Sequence, residues 1–547
     1  TITTKWWATS DPAHGDTWNG ALYYHIGNLV LETLGIGDWG LDRDVFDFKS
    51  TYVTLAVTKP HLAEGYETPD PFTTIFHIRK GVRWHDKAPM NGRELTAYDV
   101  EHSFHRFLGF GDFAEAGPSP FAPSLTGLPI ESVTATDKWT VVFKMSSFSF
   151  NTLDTIYFSS VDGSWIQPPE VIQQHGDLQD WRNLVGTGPY ELTDWIKGSS
   201  ITYTKNPDYW GYDEKYPKNR LPYADKIKFL VISDEATQLA ALRSGQIATM
   251  LASEGALDLD QAESMRRAYP EIVLNASYLK MNDFGMDVRK PPFDDIRVRQ
   301  AMQLALDNET IARTLYRGHA DPTPYGIMGP AVVGYYVPYE EWPEEVKEGY
   351  RYDPAGAEAL LEAAGYKRGA DGIRFKTTLD FSDGAPYMDV DYVQVSKAYW
   401  AEIGVDVELN VIDTATFNAR INDHTYEGMT TGLRGGDWAF TFLRILGHST
   451  SVWNMHGGQD PEYDAMVEAA EAATTLEELM RLSREADMYF IKKQWQTWGV
   501  RPAQFSAYWP WLGGFNGETG LGGGMRQTVL SRVWVDSDLK YELTGQR

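Results

Sequence analysis

The sequence predicts a layered α/β fold organised as two lobes, and three observations support this prediction. Strand-like and helix-like stretches alternate along most of the 547 residues, which is typical of sheets covered by helices. One strand–helix–strand pattern occupies residues 226–251, and a second occupies residues 373–411. Because the two patterns lie far apart in the chain, we expect each lobe to have its own sheet.

The first pattern begins with the buried-strand sequence KIKFLVI at 226–232. A helix is predicted over 235–244, and Gly245 is placed to end it. The apolar run at 247–251 predicts the next strand. Since a helical crossover connects the two strands, we expect them to be parallel neighbours.

The second pattern has apolar residues or Thr at alternate positions over 373–381, which predicts a strand. A helix ending near Trp400 follows, and residues 405–411 alternate in the same way. Shorter helices are predicted from their capping residues. They start near Asp295, at Asn308 and at Asp353, which precedes a proline.

Composition excludes several classes of function. The chain has 49 Lys and Arg against 76 Asp and Glu, a formal charge of −27, so a nucleic-acid partner is excluded. It has no cysteine, which excludes disulfides, thiolate metal sites and a cysteine nucleophile, and which fits an extracytoplasmic location. No apolar run is long enough to span a bilayer. Since Thr1 is not a start methionine, we expect the numbering to begin after a removed leader or at a cloning boundary.

Motifs for catalysis, metals and nucleotides are weak. His102 and His105 are three residues apart, on one face of a helical stretch, and His85 lies upstream, so the three could in principle hold a metal ion. Because the sequence has no HExxH motif, we expect structural or surface histidines and no metal site. Residues 35–40 match GxGxxG, yet no helix pattern follows, so a turn is predicted. Neither GxxxxGK[ST] nor GxSxG occurs. A glycosidase needs only two carboxylates, so a secreted carbohydrate-active enzyme stays an alternative.

The most informative local cluster is RGGDWAF at 434–440, followed by Trp453. Glycines beside a charged residue and a tryptophan leave room for a ligand to approach the backbone. An aromatic face can stack on a ligand, and a desolvated carboxylate can bind an ammonium or hydroxyl group. Packing of Trp438 and Trp453 in the core is the equally weighted alternative.

Several stretches together resemble the family 5 extracytoplasmic solute-binding proteins, the oligopeptide-, dipeptide- and nickel-binding components of ABC importers. The matching segments, in chain order, are 76–86 (FHIRKGVRWHD), 98–106 (YDVEHSFHR), 185–190 (VGTGPY), 206–211 (NPDYWG), 221–227 (LPYADKI), 240–246 (AALRSGQ) and 292–301 (PFDDIRVRQA).

This resemblance implies a two-lobed periplasmic-binding-protein fold, type II and cluster C, with an extra domain inserted in the first lobe. The implied boundaries are 1–46, 184–275 and 506–547 for the first lobe, 47–183 for the insert, and 276–505 for the second lobe.

The resemblance also implies a function. Such a receptor traps a solute between hinged lobes and delivers it unaltered to the permease of an ABC importer, with no cofactor and no catalytic residue. We expect a monomer that acts in the periplasm or elsewhere outside the cytoplasm, with a lipid anchor before Thr1 left open. Peptides are the first expected solutes, oligosaccharides or opine-like sugar conjugates the second. A structural or adhesive surface protein is a further alternative.

Family members that bind peptides carry a carboxylate near Asp437 that pairs with the α-amino group, so Asp437 is the predicted anchor. This chain has DWAFT at 437–441 where those members have a run like DYPDP, which leaves the solute open. The predicted ligand-binding residues are Glu32, Trp39, Asn282, Arg434, Asp437, Trp438 and Trp453.

Overall fold

The helices and strands of the protein are described by a computed structural model that covers most of the chain. The described residues are 1–5, 16, 26–27, 29–49, 54–120, 127–158, 164–251, 257–278, 282–382, 389–431, 441–518 and 526–546. The chain divides into two compact units, one of Thr1–Ser277 with Phe505–Arg547, the other of Tyr278–Gln504. Within the described ranges, no helix is long and apolar enough to cross a membrane.

Both units contain short and long strands. They are β1 (Ile2–Lys5), β2 (Gly35–Gly37), β3 (Thr58–Pro60), β4 (Ala63–Asp70), β5 (Thr73–Ile78), β6 (Ile130–Asp137), β7 (Thr140–Met145), β8 (Tyr190–Ile196), β9 (Ser200–Lys205), β10 (Lys226–Leu230), β11 (Thr249–Met250), β12 (Val273–Ser277), β13 (Asp283–Met286), β14 (Ala320–Asp321), β15 (Phe375–Phe381), β16 (Val405–Val411), β17 (Met429–Thr431), β18 (Gln496–Trp498), β19 (Arg501–Pro502), β20 (Gln504–Tyr508), β21 (Leu512–Gly513) and β22 (Trp534–Val535).

The helices cover these sheets. They are α1 (Ala97–Leu108), α2 (Phe150–Phe158), α3 (Pro169–His175), α4 (Glu235–Arg243), α5 (Leu259–Ala268), α6 (Ile296–Leu304), α7 (Asn308–Thr314), α8 (Glu344–Glu348), α9 (Pro354–Ala363), α10 (Val390–Glu402), α11 (Thr414–Asn422), α12 (Thr441–Gly447), α13 (Pro461–Glu471), α14 (Leu476–Lys493), α15 (Arg526–Leu530) and α16 (Ser537–Thr544).

Side-chain caps explain where several helices begin. Asp295 accepts a hydrogen bond from the N–H of Arg297 at the start of α6, and Asp353 accepts one from Gly356 at the start of α9. Pro354 fills the first turn of α9, where no intrahelical donor is lost. The predicted helix starts near Asp295, at Asn308 and at Asp353 are therefore confirmed.

The first unit contains two four-stranded sheets, in the orders β1-β10-β9-β8 and β4-β5-β7-β6, and a three-stranded sheet β11-β20-β12. The predicted parallel pairing of 226–232 with 247–251 is wrong. Strand β10 pairs in parallel with β1, and β11 pairs antiparallel with β20. The carbonyl oxygen of Thr3 accepts the N–H of Ala248 at 2.6 Å, so the first strand of the chain lies between β10 and β11.

The second unit is built on a five-stranded sheet in the order β16-β15-β17-β13-β18. The predicted pattern over 373–411 is confirmed, since β15 and β16 pair in parallel and α10 connects them. One face of the sheet packs into the apolar core, where Phe284 lies 5.7 Å from Tyr392 and 5.0 Å from Trp400 between ring centroids. Successive strand residues point to opposite faces, so Asp283 and Gly285 lie on the other face.

Candidate functional site

The candidate site of the second unit lies at one edge of its five-stranded sheet. Strands β15, β16 and β17 are mutually parallel, so their carboxyl ends meet at this edge. Strand β13 is antiparallel to β17, with Phe284 opposite Thr431, so β13 starts at the same edge. In open α/β sheets, ligands bind outside the carboxyl ends of the strands, where loops can present side chains.

Three of the predicted ligand-binding residues belong to the segment that leaves this edge after β17. Strand β17 ends at Thr431, while Arg434, Asp437 and Trp438 fall within 432–440, outside the described residues. Their assignment stays a prediction. The chain connectivity alone links them to this edge.

Asn282 directly precedes β13 and holds this edge together. Its side chain is buried, and its Nδ2 donates to the hydroxyl of Tyr316 at 3.0 Å. Tyr316 in turn donates to Asp389 at 2.7 Å, and Asp389 caps α10. This chain of hydrogen bonds joins the start of β13 to the amino end of α10. A direct ligand contact by Asn282 stays a prediction.

Trp453 is half-buried in a loop of the same unit. Its backbone N–H donates to Ser451 Oγ at 3.2 Å, and its ring packs against a small apolar cluster. The cluster consists of Phe417, Ile421, Tyr426 and Met455. Partial exposure leaves one part of the indole surface available to a ligand, as the prediction for Trp453 requires.

In the first unit, Glu32 is the centre of a buried polar network. Its carboxylate is fully buried. One oxygen, Oε1, lies 2.7 Å from His61 Nε2 and accepts the hydroxyl of Tyr209 at 2.8 Å. The other, Oε2, accepts Trp210 Nε1 at 3.2 Å. A ligand contact by Glu32 stays a prediction, and this network indicates that the side chain positions its surroundings.

The protonation of Glu32 follows from this network. Burial by itself would raise the pKa of Glu32, because it disfavours the charged form. The attraction of His61 and the hydrogen bonds from His61, Thr187 and Tyr209 outweigh burial and lower the pKa below its ordinary value. Glu32 is therefore ionised at neutral pH.

The backbone around Glu32 is held by the VGTGPY motif. The carbonyl oxygen of Val30 accepts the N–H of Gly188 at 2.8 Å, and the carbonyl oxygen of Leu29 accepts the N–H of Tyr190 at 3.1 Å. A Cβ atom on Gly186 would lie 1.8 Å from the Val30 oxygen. The motif glycines are thus required for the close approach of two backbone segments.

Trp39 is buried within an aromatic and cationic cluster of the same unit. Its ring centroid lies 5.1 Å from that of Phe48. The guanidinium carbon of Arg43 lies 4.3 Å from the Trp39 centroid and 4.1 Å from the Phe48 centroid. With 4% of its surface exposed, Trp39 has a packing role, and its predicted stacking on a ligand stays a prediction.

The three histidines at positions 85, 102 and 105 have backbone or aromatic partners. His85 Nε2 lies 2.9 Å from the carbonyl oxygen of Gly188, and His105 Nε2 lies 2.7 Å from that of Val133. Burial lowers the pKa of both His85 and His102 to about 4. Across the described part of the chain, no group of three His, Cys, Asp or Glu side chains is arranged to hold a metal ion.

Sequence reasoning missed residues that the structure singles out. His61, Tyr209 and Trp210 surround Glu32. Tyr209 and Trp210 belong to the NPDYWG motif, which was recognised in the sequence but was assigned no role there. Asp283, the first residue of β13, is almost fully buried. An acidic residue at the start of an apolar strand was the signal that could have identified it.

Comparisons with known proteins agree on one family. The model for bacterial extracellular solute-binding proteins, family 5 Middle, matches residues 57–454. The dipeptide-binding protein of Escherichia coli (strain K12) is 27% identical over 387 residues, which cover 69% of this chain and 67% of that protein. Heme-binding protein A of Haemophilus influenzae is 26% identical over 449 residues, 79% of this chain and 76% of that protein.

A solved structure shows the fold. The periplasmic binding protein DppA of Helicobacter pylori, in complex with the peptide STSA, superposes with a TM-score of 0.65 at 21% identity. The match covers 98% of this chain and 97% of that one. The predicted α/β periplasmic-binding-protein fold is thereby confirmed.

Proposed function

Because the chain belongs to family 5 of the bacterial extracellular solute-binding proteins, we propose that it is the receptor of an ABC importer and that its solute is a peptide. The receptor binds the peptide one-to-one and hands it unaltered to the membrane permease. It has no catalytic residue and no cofactor in this role, and it works as a monomer outside the cytoplasmic membrane.

The observation that carries this proposal is the sheet edge of the second unit. The carboxyl ends of β15, β16 and β17 and the amino end of β13 meet there, and the segment with Asp437 follows β17 directly. The names of relatives favour a peptide as the solute, since one is a dipeptide-binding protein and another a di/tripeptide-binding protein. The relatives named here give no support to an oligosaccharide or an opine.

Asp437 is the proposed anchor for the α-amino group of the peptide, with Arg434, Trp438 and Trp453 as its neighbours in the site. A buried carboxylate without a partner costs several kcal/mol, so a peptide ammonium would complete this site. Glu32, Trp39 and Asn282 are the further proposed ligand-binding residues, and each of them is buried within its own unit. A conformational change on binding requires contacts that are stronger in the closed state than in the open state.

The domain organisation is part of the proposal. We propose that the first lobe comprises 1–46, 184–275 and 506–547, the insert 47–183, and the second lobe 276–505. The chain passes between its two compact units at 277–278 and at 504–505, and these crossings are the proposed hinge. Hinges of this kind absorb a domain closure in a few residues at the ends of elements.

Isothermal titration calorimetry of the ligand-free protein tests the solute class. The probes are Ala-Ala, Ala-Ala-Ala, maltotriose and hemin, and mass spectrometry follows the recovered solute. We expect one-to-one binding of at least one peptide, recovered at its original mass. Binding of maltotriose or hemin alone, or accumulation of cleaved peptide, would refute the proposal.

Two variants of Asp437 test the anchor. Asp437→Ala and Asp437→Asn should each weaken peptide binding at least 100-fold, in line with the roughly 3–5 kcal/mol cost of breaking a buried charge pair. Asp423→Ala removes an exposed carboxylate of the same unit and serves as the matched control with unchanged affinity. Equal affinity of all three variants would remove Asp437 from the site.

A further inference from the structure

Asp283 is a buried carboxylate without a hydrogen-bonding partner among the described residues. It is the first residue of β13, its exposed fraction is 1%, and neither Oδ1 nor Oδ2 accepts a hydrogen bond from another residue there. A buried polar side chain is normally paired, so an unpaired carboxylate in a native protein needs an explanation.

Most other buried acidic side chains of the described residues do have partners, although Oδ1 of Asp154 is also unpaired. Glu32 is bound by His61, Tyr209 and Trp210, and Asp487 accepts the N–H groups of Ile327 and Met328. The remaining pairs are Asp16 with Arg106, Asp99 with Arg93, Asp213 with Tyr223, Asp287 with Arg289, Asp380 with Arg420, and Glu518 with Arg43. Asp283 differs from all of these.

The position of Asp283 is at the candidate sheet edge. Strand β13 starts there, next to the carboxyl end of β17, and Asp283 lies directly opposite Trp498 of β18. The segment with Asp437 leaves the sheet at this same edge. Asp283 therefore lies at the sheet edge from which the chain continues into the segment with Asp437.

The face of the sheet on which Asp283 lies is also informative. Gly285 is on the same face, and a Cβ atom there would meet Met455, at 2.9 Å from its carbonyl oxygen. Met455 belongs to the apolar cluster against which Trp453 packs. Asp283 thus lies on the Trp453 side of the sheet, whereas Phe284 lies on the core side against Tyr392.

A carboxylate in this environment is poorly solvated when charged. Burial raises the pKa of Asp283 to about 7, and the opposing effect of its own backbone N–H is smaller. A cation beside Asp283 would supply the missing partner and favour the ionised form. Charge-assisted hydrogen bonds of this kind are stronger than neutral ones.

We infer that Asp283 binds a cationic group of the solute, so that the receptor selects peptides carrying a lysine or arginine side chain. This inference rests on the proposed peptide-binding function and adds a specificity-determining residue to the same site. Asp283 takes a positive charge of the peptide other than its α-amino group.

Calorimetric titration of the full chain with three tripeptides tests the inference. The peptides are Ala-Lys-Ala, Ala-Arg-Ala and Ala-norleucine-Ala, the last an apolar match for lysine in length. For the unaltered protein we expect the two cationic peptides to bind at least tenfold more tightly than the norleucine peptide, as a charged hydrogen bond would provide. Asp283→Asn should remove this preference and keep the affinity for the norleucine peptide.

A matched control and distinct outcomes complete the experiment. Asp154→Asn alters an acidic side chain of the other compact unit that also has an unpaired buried oxygen, Oδ1, and it should keep the preference for cationic peptides. Circular dichroism confirms that each variant is folded. Equal binding of all three peptides, or a preference that survives Asp283→Asn, overturns the inference while the proposed function stands. Binding of none of the peptides, including Ala-Ala and Ala-Ala-Ala, overturns both.

Discussion

A Cβ atom on Gly186 would lie 1.8 Å from the carbonyl oxygen of Val30, a separation that no pair of non-bonded atoms can adopt. The same carbonyl oxygen accepts the N–H of Gly188 at 2.8 Å. The VGTGPY motif therefore holds residues 29–34 by direct backbone contact, and this contact places Glu32 inside its network. The motif acts through packing in this unit.

Substitution of Gly186 by alanine should destabilise the protein strongly. The added methyl group must displace the backbone of Val30, which costs on the order of 3 kcal/mol, so we expect the melting temperature to fall by roughly 3–5 °C. Gly65→Ala is the matched control, because a Cβ atom there has no neighbour within 4 Å. Differential scanning calorimetry measures both variants. A melting temperature of Gly186→Ala equal to that of Gly65→Ala would contradict the close approach.

Glu32→Gln should destabilise the protein in a pH-dependent way. The amide places a donor where Tyr209, Trp210 and His61 require an acceptor, and we expect a loss of about 2–3 kcal/mol at pH 7. Because the pKa of Glu32 is lowered in the folded state, its contribution is present above the ordinary value of 4.5 and is lost as the pH falls through the folded pKa. The stability difference should therefore shrink below about pH 4.5.

The control for this experiment is Glu67→Gln. Glu67 lies 2.8 Å from His77, but its side chain is 63% exposed, so this surface pair contributes little. Urea unfolding at pH 7, 5 and 3.5 measures all three proteins. If Glu32→Gln were as mild as Glu67→Gln at every pH, the buried network would have no energetic role.

The parts of the fold that sequence could predict are those determined by local pattern. The helix α10 and its flanking strands were predictable because the alternation of apolar residues in the strands and the end of the helix near Trp400 depend only on neighbouring residues in the sequence. The neighbour of β10 was missed because β1 comes from the start of the chain. Thr4 and Thr249 bond side chain to side chain across 245 positions, and no local pattern carries that information.

In the candidate site, too, only features determined by the local sequence were predictable. Residue type and local glycines were sufficient to select Asp437 and Trp453 as ligand-binding candidates. The partners of Glu32 were not predictable, because His61, Tyr209 and Trp210 approach it only in the folded chain. The same holds for the isolation of Asp283, since the absence of a partner is a property of the tertiary structure.

Trp39 and Trp453 should respond differently to truncation. Trp39 is 4% exposed between Phe48 and Arg43, so Trp39→Ala should cost about 3–5 kcal/mol of stability. Trp453 is half-buried, and Trp453→Ala should cost roughly half as much and should weaken peptide binding about tenfold. Calorimetric unfolding and peptide titration separate the two effects. A Trp453 variant with unchanged peptide affinity would leave that residue a packing role only.

Asp283→Asn should stabilise the ligand-free protein at neutral and alkaline pH. Burial raises the pKa of Asp283 from 3.8 to about 7 in the folded state, so the folded protein holds this proton more tightly than the unfolded chain does. The stability that this proton adds is fully present below the unfolded pKa and is lost as the pH rises through about 7. Asparagine has the same shape and no charge to desolvate. The free energy of unfolding of the variant should thus match that of the original protein near pH 4 and exceed it by on the order of 3–4 kcal/mol at pH 8.

The control for this experiment is Asp294→Asn, which alters an exposed site in the same unit. Chemical unfolding of the dialysed proteins at pH 5, 6, 7 and 8 measures the difference, which must grow with pH. A constant difference over this range would mean that Asp283 does not change its protonation on folding.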